Sequence, residues 1–207
     1  MQKKYFIIAA ALISISITMG FVLSRNSVEQ KPESSLSNTT PAVFTSETTD
    51  ESFKWYTVME AIELQKTTNK KIFIDVFTTW CGPCKMLEAN TFSNPTIRTL
   101  LAEYYIPAKF NAESGDTIVF NGETYTNPKY SPTPRQSTHP FAIYIASTPQ
   151  GLGYPTMVFL DEKLQMIQPI PSYVTPDQLE PILTYFGTDA FKTTDWQTYL
   201  STFKSNL

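Results

Sequence analysis

Apolar residues in this chain come in short runs, and the spacing inside each run predicts its element. Trp55, Val58, Met59 and Ile62 fall on one helical face, and Thr57-Val58-Met59-Glu60 has the spacing of a capping box. A helix is expected from there to Thr68, ended by Asn69. Lys70-Lys71-Ile72-Phe73-Ile74-Asp75-Val76-Phe77 is apolar on both faces, as a buried central strand would be. Lys85 to Asn90 is a good helix-forming stretch. Asn94-Pro95-Thr96 opens another helix, with Ile97, Leu100, Leu101 and Tyr104 on its apolar face. Ile106 to Asn111 reads as a second strand, parallel to the first through a right-handed crossover.

Beyond Ala112 the pattern changes. Thr117-Ile118-Val119-Phe120, Asn121-Gly122 and Glu123-Thr124-Tyr125 spell a β-hairpin, with Asn-Gly supplying the two positive φ angles of a type I′ turn. Asn127 to Ser137 is loop, and Pro140 to Ser147 a short helix with Thr138 or His139 near its N-cap. Thr156–Leu160 and Leu164–Pro169 form an antiparallel pair joined through Asp161-Glu162-Lys163. Thr175-Pro176-Asp177-Gln178 caps a helix that buries Leu179, Ile182, Leu183 and Phe186, bends at Pro181 and stops at Gly187. A last helix, capped by Thr194, packs through Trp196, Tyr199, Leu200 and Phe203.

The N-terminus follows another logic. Lys3 and Lys4 precede Tyr5 through Leu23, which contains no charged residue. That length approaches a membrane span, and the lysines orient it with the remainder of the chain outside the cytoplasm. Residues 1–23 therefore read as a retained anchor in preference to a cleaved signal peptide. No cysteine lies there to carry a lipid. Residues 24–51 are rich in Ser, Thr, Asn, Glu and Pro and read as a flexible tether. Residues 52–207 then suit one domain. The expected location is extracytoplasmic, membrane-tethered or secreted after cleavage.

A formal net charge of −3 with 17% charged residues leaves no basic footprint for phosphate, so nucleic acid is not an expected partner. Cysteine usage is more telling. Both cysteines of the chain lie in Trp80-Cys81-Gly82-Pro83-Cys84-Lys85, between the buried strand and a helix. A Cys81 thiolate there faces unpaired N–H groups at the helix start, which lowers its pKa. Cys84 is placed to attack a mixed disulfide formed by Cys81. Half a zinc site is the competing reading, but four ligands are needed and His139 is the only histidine. A purely structural disulfide at this spacing closes too small a loop to stabilise much. Asp75 inside an apolar run competes with an ordinary strand-end acid. His139 reads as a helix-start residue, and Gly151-Leu152-Gly153 as a lead into the turn that follows.

Trp80-Cys81-Gly82-Pro83-Cys84-Lys85 after a buried strand resembles thioredoxin, and the match extends further. Asp75 corresponds to the buried acid of that family, Lys109 to the lysine beside it, and Tyr154-Pro155-Thr156 to its cis-proline turn. The resemblance spans about residues 52–187, interrupted by an insertion at about 112–152, and is nearest to thioredoxin-like proteins of the bacterial envelope. It implies an α/β, three-layer fold: a central mixed β-sheet flanked by helices, with an inserted hairpin and helix and an extra C-terminal helix. It implies Cys81 as nucleophile, Cys84 as resolving thiol, Asp75 as the acid assisting Cys84, and Lys109 as offset to its charge. Trp80, Gly82, Pro83, Tyr154 and Pro155 would form the substrate surface. No cofactor is expected beyond a redox-active Cys81–Cys84 disulfide. The implied function is extracytoplasmic protein thiol–disulfide exchange in the reducing direction, with protein disulfides as substrates and a membrane partner as electron donor. Contact with the membrane itself would run through residues 5–23. The alternative is a thioredoxin-fold binding or assembly module in which the cysteines are incidental.

Overall fold

A computed structural model describes residues 53–207. The expected anchor at 1–23 and tether at 24–51 lie outside the described residues. Within those residues, no helix is long and apolar enough to cross a membrane.

The chain enters through a two-residue strand, β1 (Tyr56–Thr57), and turns at once into helix α1 (Val58–Thr68). The capping box forms as its spacing predicts. Thr57 N–H donates to Glu60 Oε2 at 2.8 Å, and Glu60 N–H donates to Thr57 Oγ1 at 3.2 Å. Asn69 closes the helix in the left-handed region, φ 51°. Strand β2 (Lys71–Phe77) follows, then helix α2 (Gly82–Met86), which runs on as a π-helical turn over Leu87–Thr91. Helix α3 (Pro95–Tyr104), capped by Asn94, leads into strand β3 (Tyr105–Asn111). The insertion holds strands β4 (Ile118–Phe120) and β5 (Glu123–Tyr125) and helix α4 (Pro140–Ala146). Strands β6 (Thr156–Leu160) and β7 (Met166–Pro171) and helices α5 (Pro176–Gly187) and α6 (Trp196–Thr202) complete the described chain.

The main sheet has the order β1-β3-β2-β6-β7. β2 and β3 run parallel, β6 antiparallel to β2, and β7 antiparallel to β6. This is the expected three-layer arrangement with a mixed central sheet. Alternation along β2 sorts its side chains to the two faces. Ile72, Ile74 and Val76 pack with α1 and α4, whereas Phe73 packs with Leu87, Phe92, α3 and α5. Each fully buried phenylalanine of this kind contributes roughly 1.5–3 kcal/mol over leaving it exposed.

The hairpin turns through Asn121 and Gly122 at φ 52° and 85°. Ile118 and Phe120 of the hairpin are buried, and Phe120 packs on Phe141 of α4 with ring centroids 5.4 Å apart. His139 caps α4, accepting the Phe141 N–H on Nδ1 at 3.0 Å while Nε2 donates to the Asp116 carbonyl at 2.9 Å. Both ring nitrogens are thus spent on structure.

Five details differ from the sequence expectation. Met59 is exposed, because α1 turns that side away from the sheet, and Trp55 packs instead on Phe73 and Phe92 across the sheet. The helix after Cys84 includes the π turn, which brings Leu87 and Phe92, five residues apart, into the same core. β7 begins at Met166, since Leu164 takes a positive φ of 57° in the connecting turn. α5 is continuous through Pro181. Asp195 rather than Thr194 caps α6, its carboxylate accepting the Thr198 N–H at 3.1 Å, and Leu200 is exposed.

Candidate functional site

β2 carries the acid and delivers the cysteines. After Phe77 the chain turns through Thr78 to Trp80, and the Cys81 N–H donates to the Thr78 carbonyl at 3.2 Å. Cys81 is the N-cap of α2, and its Sγ accepts the Cys84 N–H at 3.1 Å. Pro83, in the first turn, lacks an N–H that the helix would leave unpaired there. Cys81 and Cys84 form a disulfide with Cα atoms 5.3 Å apart, and both are buried. A Cβ on Gly82 would meet nothing within 4 Å, and Gly82 and Pro83 between the cysteines are exposed.

Asp75 lies on the face of the sheet beneath α2, 3% exposed. Its Oδ1 is buried without a hydrogen-bond partner among the described residues. Burial pushes its pKa up to about 7; Lys109 pulls it down and Glu88 pushes it up. Lys109 is the register partner of Asp75 on β3, and its Nζ lies 3.9 Å from Asp75 Oδ2. The ammonium hydrogen-bonds Glu88 in the π turn instead, and sits 4.9 Å from the Trp55 ring centroid. Lys109 therefore partly offsets the charge of Asp75 from 3.9 Å, while its hydrogen bond goes to Glu88.

The Tyr154–Pro155 peptide bond is cis. Thr156 pairs with Val76, so Pro155 stands at the same end of the sheet as the cysteines, and its carbonyl accepts the Ser172 N–H at 2.9 Å. The Tyr154 ring meets Trp80 edge to face, centroids 6.1 Å apart. Cys81, Cys84, Asp75, Lys109, Trp80, Gly82, Pro83, Tyr154 and Pro155 therefore gather at one end of the sheet.

Three residues join them without having been singled out in the sequence. Glu88 holds Lys109. Glu113, buried at the start of the insertion, accepts the Trp80 Nε1–H on Oε2 at 2.9 Å. Its other oxygen accepts the Arg135 N–H at 2.6 Å, and the Arg135 guanidinium lies 4.5 Å from the Trp80 ring centroid. No local spacing marks Glu113 or Arg135, since 22 residues separate them; Glu88 reaches Lys109 only because the π turn aims it there.

This arrangement suits thiol–disulfide exchange: a disulfide at a helix start flanked by the exposed Gly82 and Pro83, a buried acid on the strand that leads to it, and a cis-proline strand alongside. A family model described as thioredoxin-like domain matches residues 58–187. Among solved structures, a thioredoxin from Thermus thermophilus aligns at 17% identity and TM-score 0.47, covering 65% of this chain and 87% of that one. A thioredoxin-fold protein from Helicobacter pylori aligns at 16% identity and TM-score 0.44, covering 64% and 79%. A DsbH oxidoreductase aligns at 14% identity and TM-score 0.42, covering 79% and 96%. No curated protein matches the chain.

Proposed function

This chain belongs to the thioredoxin-like domain family, and from that premise we propose that it is an extracytoplasmic protein thiol–disulfide oxidoreductase working in the reducing direction. The observation that carries the reading is the Cys81–Cys84 disulfide seated over a buried acid with a raised pKa.

In the reduced protein, the Cys81 thiolate attacks one sulfur of a substrate disulfide and expels the other as a thiolate. The mixed disulfide is resolved when Cys84, deprotonated, attacks Cys81 Sγ and releases the second substrate thiolate. Two electrons pass to the substrate, and the protein is left with the Cys81–Cys84 disulfide. Asp75 is the group that takes the Cys84 proton, because a carboxyl titrating near 7 accepts and returns a proton at working pH. The cis Pro155 strand borders the disulfide, where an extended substrate segment would lie. Turnover needs a dithiol donor, and for a domain tethered by residues 1–23 this would be a membrane protein.

The reduction potential of Cys81–Cys84 in a soluble fragment from Ser52 tests the direction. A value near −270 mV, about that of thioredoxin, is the expected result. A value of about −120 to −180 mV overturns the reducing direction and makes the protein an oxidant or isomerase.

A further inference from the structure

The insertion reaches Trp80, the residue before Cys81, through Glu113 and Arg135. Arg135 occupies the left-handed region at φ 68°, a conformation that glycine adopts without strain but that a residue with a Cβ resists. The chain nevertheless places a long cationic side chain there. Its backbone N–H is fixed by Glu113 Oε1 at 2.6 Å, and its guanidinium lies over the ring of Trp80, the residue immediately before Cys81. Glu113 is occupied on both oxygens, by Trp80 and by the Arg135 backbone, and makes no ion pair with the guanidinium. Among the described residues, Arg135 forms no salt bridge at all, and it is exposed. Lys85, exposed on α2 directly after Cys84, is a second positive charge in this part of the chain, and among the described residues no carboxylate is paired with it either.

Stacking on an indole leaves the edges of a guanidinium, with its N–H donors, directed outward. A planar fork of donors held over Trp80, the neighbour of the nucleophilic Cys81, matches a carboxylate. Resting on the oxidoreductase reading above, we propose that Arg135 is a specificity residue that selects protein substrates bearing an acidic side chain next to the disulfide. Glu113 is its positioning residue, since one carboxylate sets both the Trp80 ring and the Arg135 backbone. The redox step itself is unchanged: the substrate disulfide gains two electrons and the Cys81–Cys84 dithiol loses them.

The test uses the protein reduced with dithiothreitol and freed of it, reacted with three disulfide-bonded peptides whose flanking residues are glutamate, glutamine or lysine. Rates are read by acid quench and thiol alkylation. The wild type should favour the glutamate over the glutamine peptide by about fivefold at low ionic strength, the upper range for one exposed charge pair. Raising salt should bring that ratio towards one, and Arg135→Gln should do so at low salt. Glu113→Gln, which frees the arginine but keeps its charge, should leave an intermediate ratio. Equal wild-type rates on all three peptides, or a ratio untouched by Arg135→Gln, overturns the selectivity while leaving the oxidoreductase reading intact. No exchange with any peptide overturns both.

Discussion

Lys109 stands 3.9 Å from Asp75 but gives its hydrogen bond to Glu88. Among the described residues, the one cation beside the buried acid is thus shared with Glu88 of the π turn that continues α2. Lys109 lowers the proton affinity of Asp75 and Glu88 raises it. Glu88→Gln removes a negative charge and weakens the hold on Lys109, and both changes act in the same direction. The pKa of Asp75 should therefore fall below its value of about 7. The pH midpoint for resolution of a mixed disulfide by Cys84 should move to lower pH with it. An unmoved midpoint would show that Glu88 has no hold on the acid.

Asp75 itself costs stability. Its folded pKa of about 7 exceeds the ordinary 3.8, so the folded state binds the proton more tightly than the unfolded chain. Below the ordinary value both states are protonated and the group is neutral in effect. As pH rises through the window up to the folded value, stability is lost, and above it the full penalty applies. Asp75→Asn should raise the stability of the oxidised protein by about 2–4 kcal/mol at pH 8 and by little at pH 4. Urea unfolding at the two pH values checks this, and an equal gain at both would point to packing rather than charge.

The two cysteines should fail differently. Cys84→Ser leaves the attacking thiol without its resolver, so mixed disulfides with substrates should accumulate on non-reducing gels. Cys81→Ser should trap nothing and lose exchange entirely. Full function in cells for both variants would remove the cysteines from the account and favour a binding module.

Gly187 closes α5 against Tyr104. A Cβ built there would lie 2.6 Å from Tyr104 Cγ and 2.8 Å from its Cβ, atoms that no terminal rotation can clear. Gly187→Ala should destabilise by about 1–3 kcal/mol, read as a drop in urea midpoint at unchanged m-value. Disulfide exchange per folded molecule should be untouched.

Glu180 is fully buried in α5, and the C-terminal segment supplies its donors: Ser205 Oγ at 2.5 Å and the Asn206 N–H at 2.7 Å. Removing residues 205–207 strips both from a buried carboxylate and should cost about 1–3 kcal/mol. Glu180→Met in the shortened chain should recover part of the loss. Equal stability of the full and shortened chains would mean that water replaces the tail.

Local chemistry made much of this molecule readable in advance. The Thr57 and Asn94 caps, the Asn121-Gly122 turn and the all-apolar β2 each rest on neighbours within a few residues, so sequence alone determined them. Cys81 and Cys84 were legible for the same reason, and Asp75 because an acid in an apolar run is conspicuous. Tertiary structure decided the rest. The π turn exists because Leu87 and Phe92 must reach one core. Met59 stays outside the core and meets the hairpin instead, its sulfur accepting the Val119 N–H. The sharing of Lys109 between Asp75 and Glu88 depends on β3 lying beside β2 under that turn. The clamp of Glu113 and Arg135 on Trp80 depends on a loop folding back onto that ring. Such contacts join residues far apart in sequence through the geometry of packing, and no local spacing encodes them.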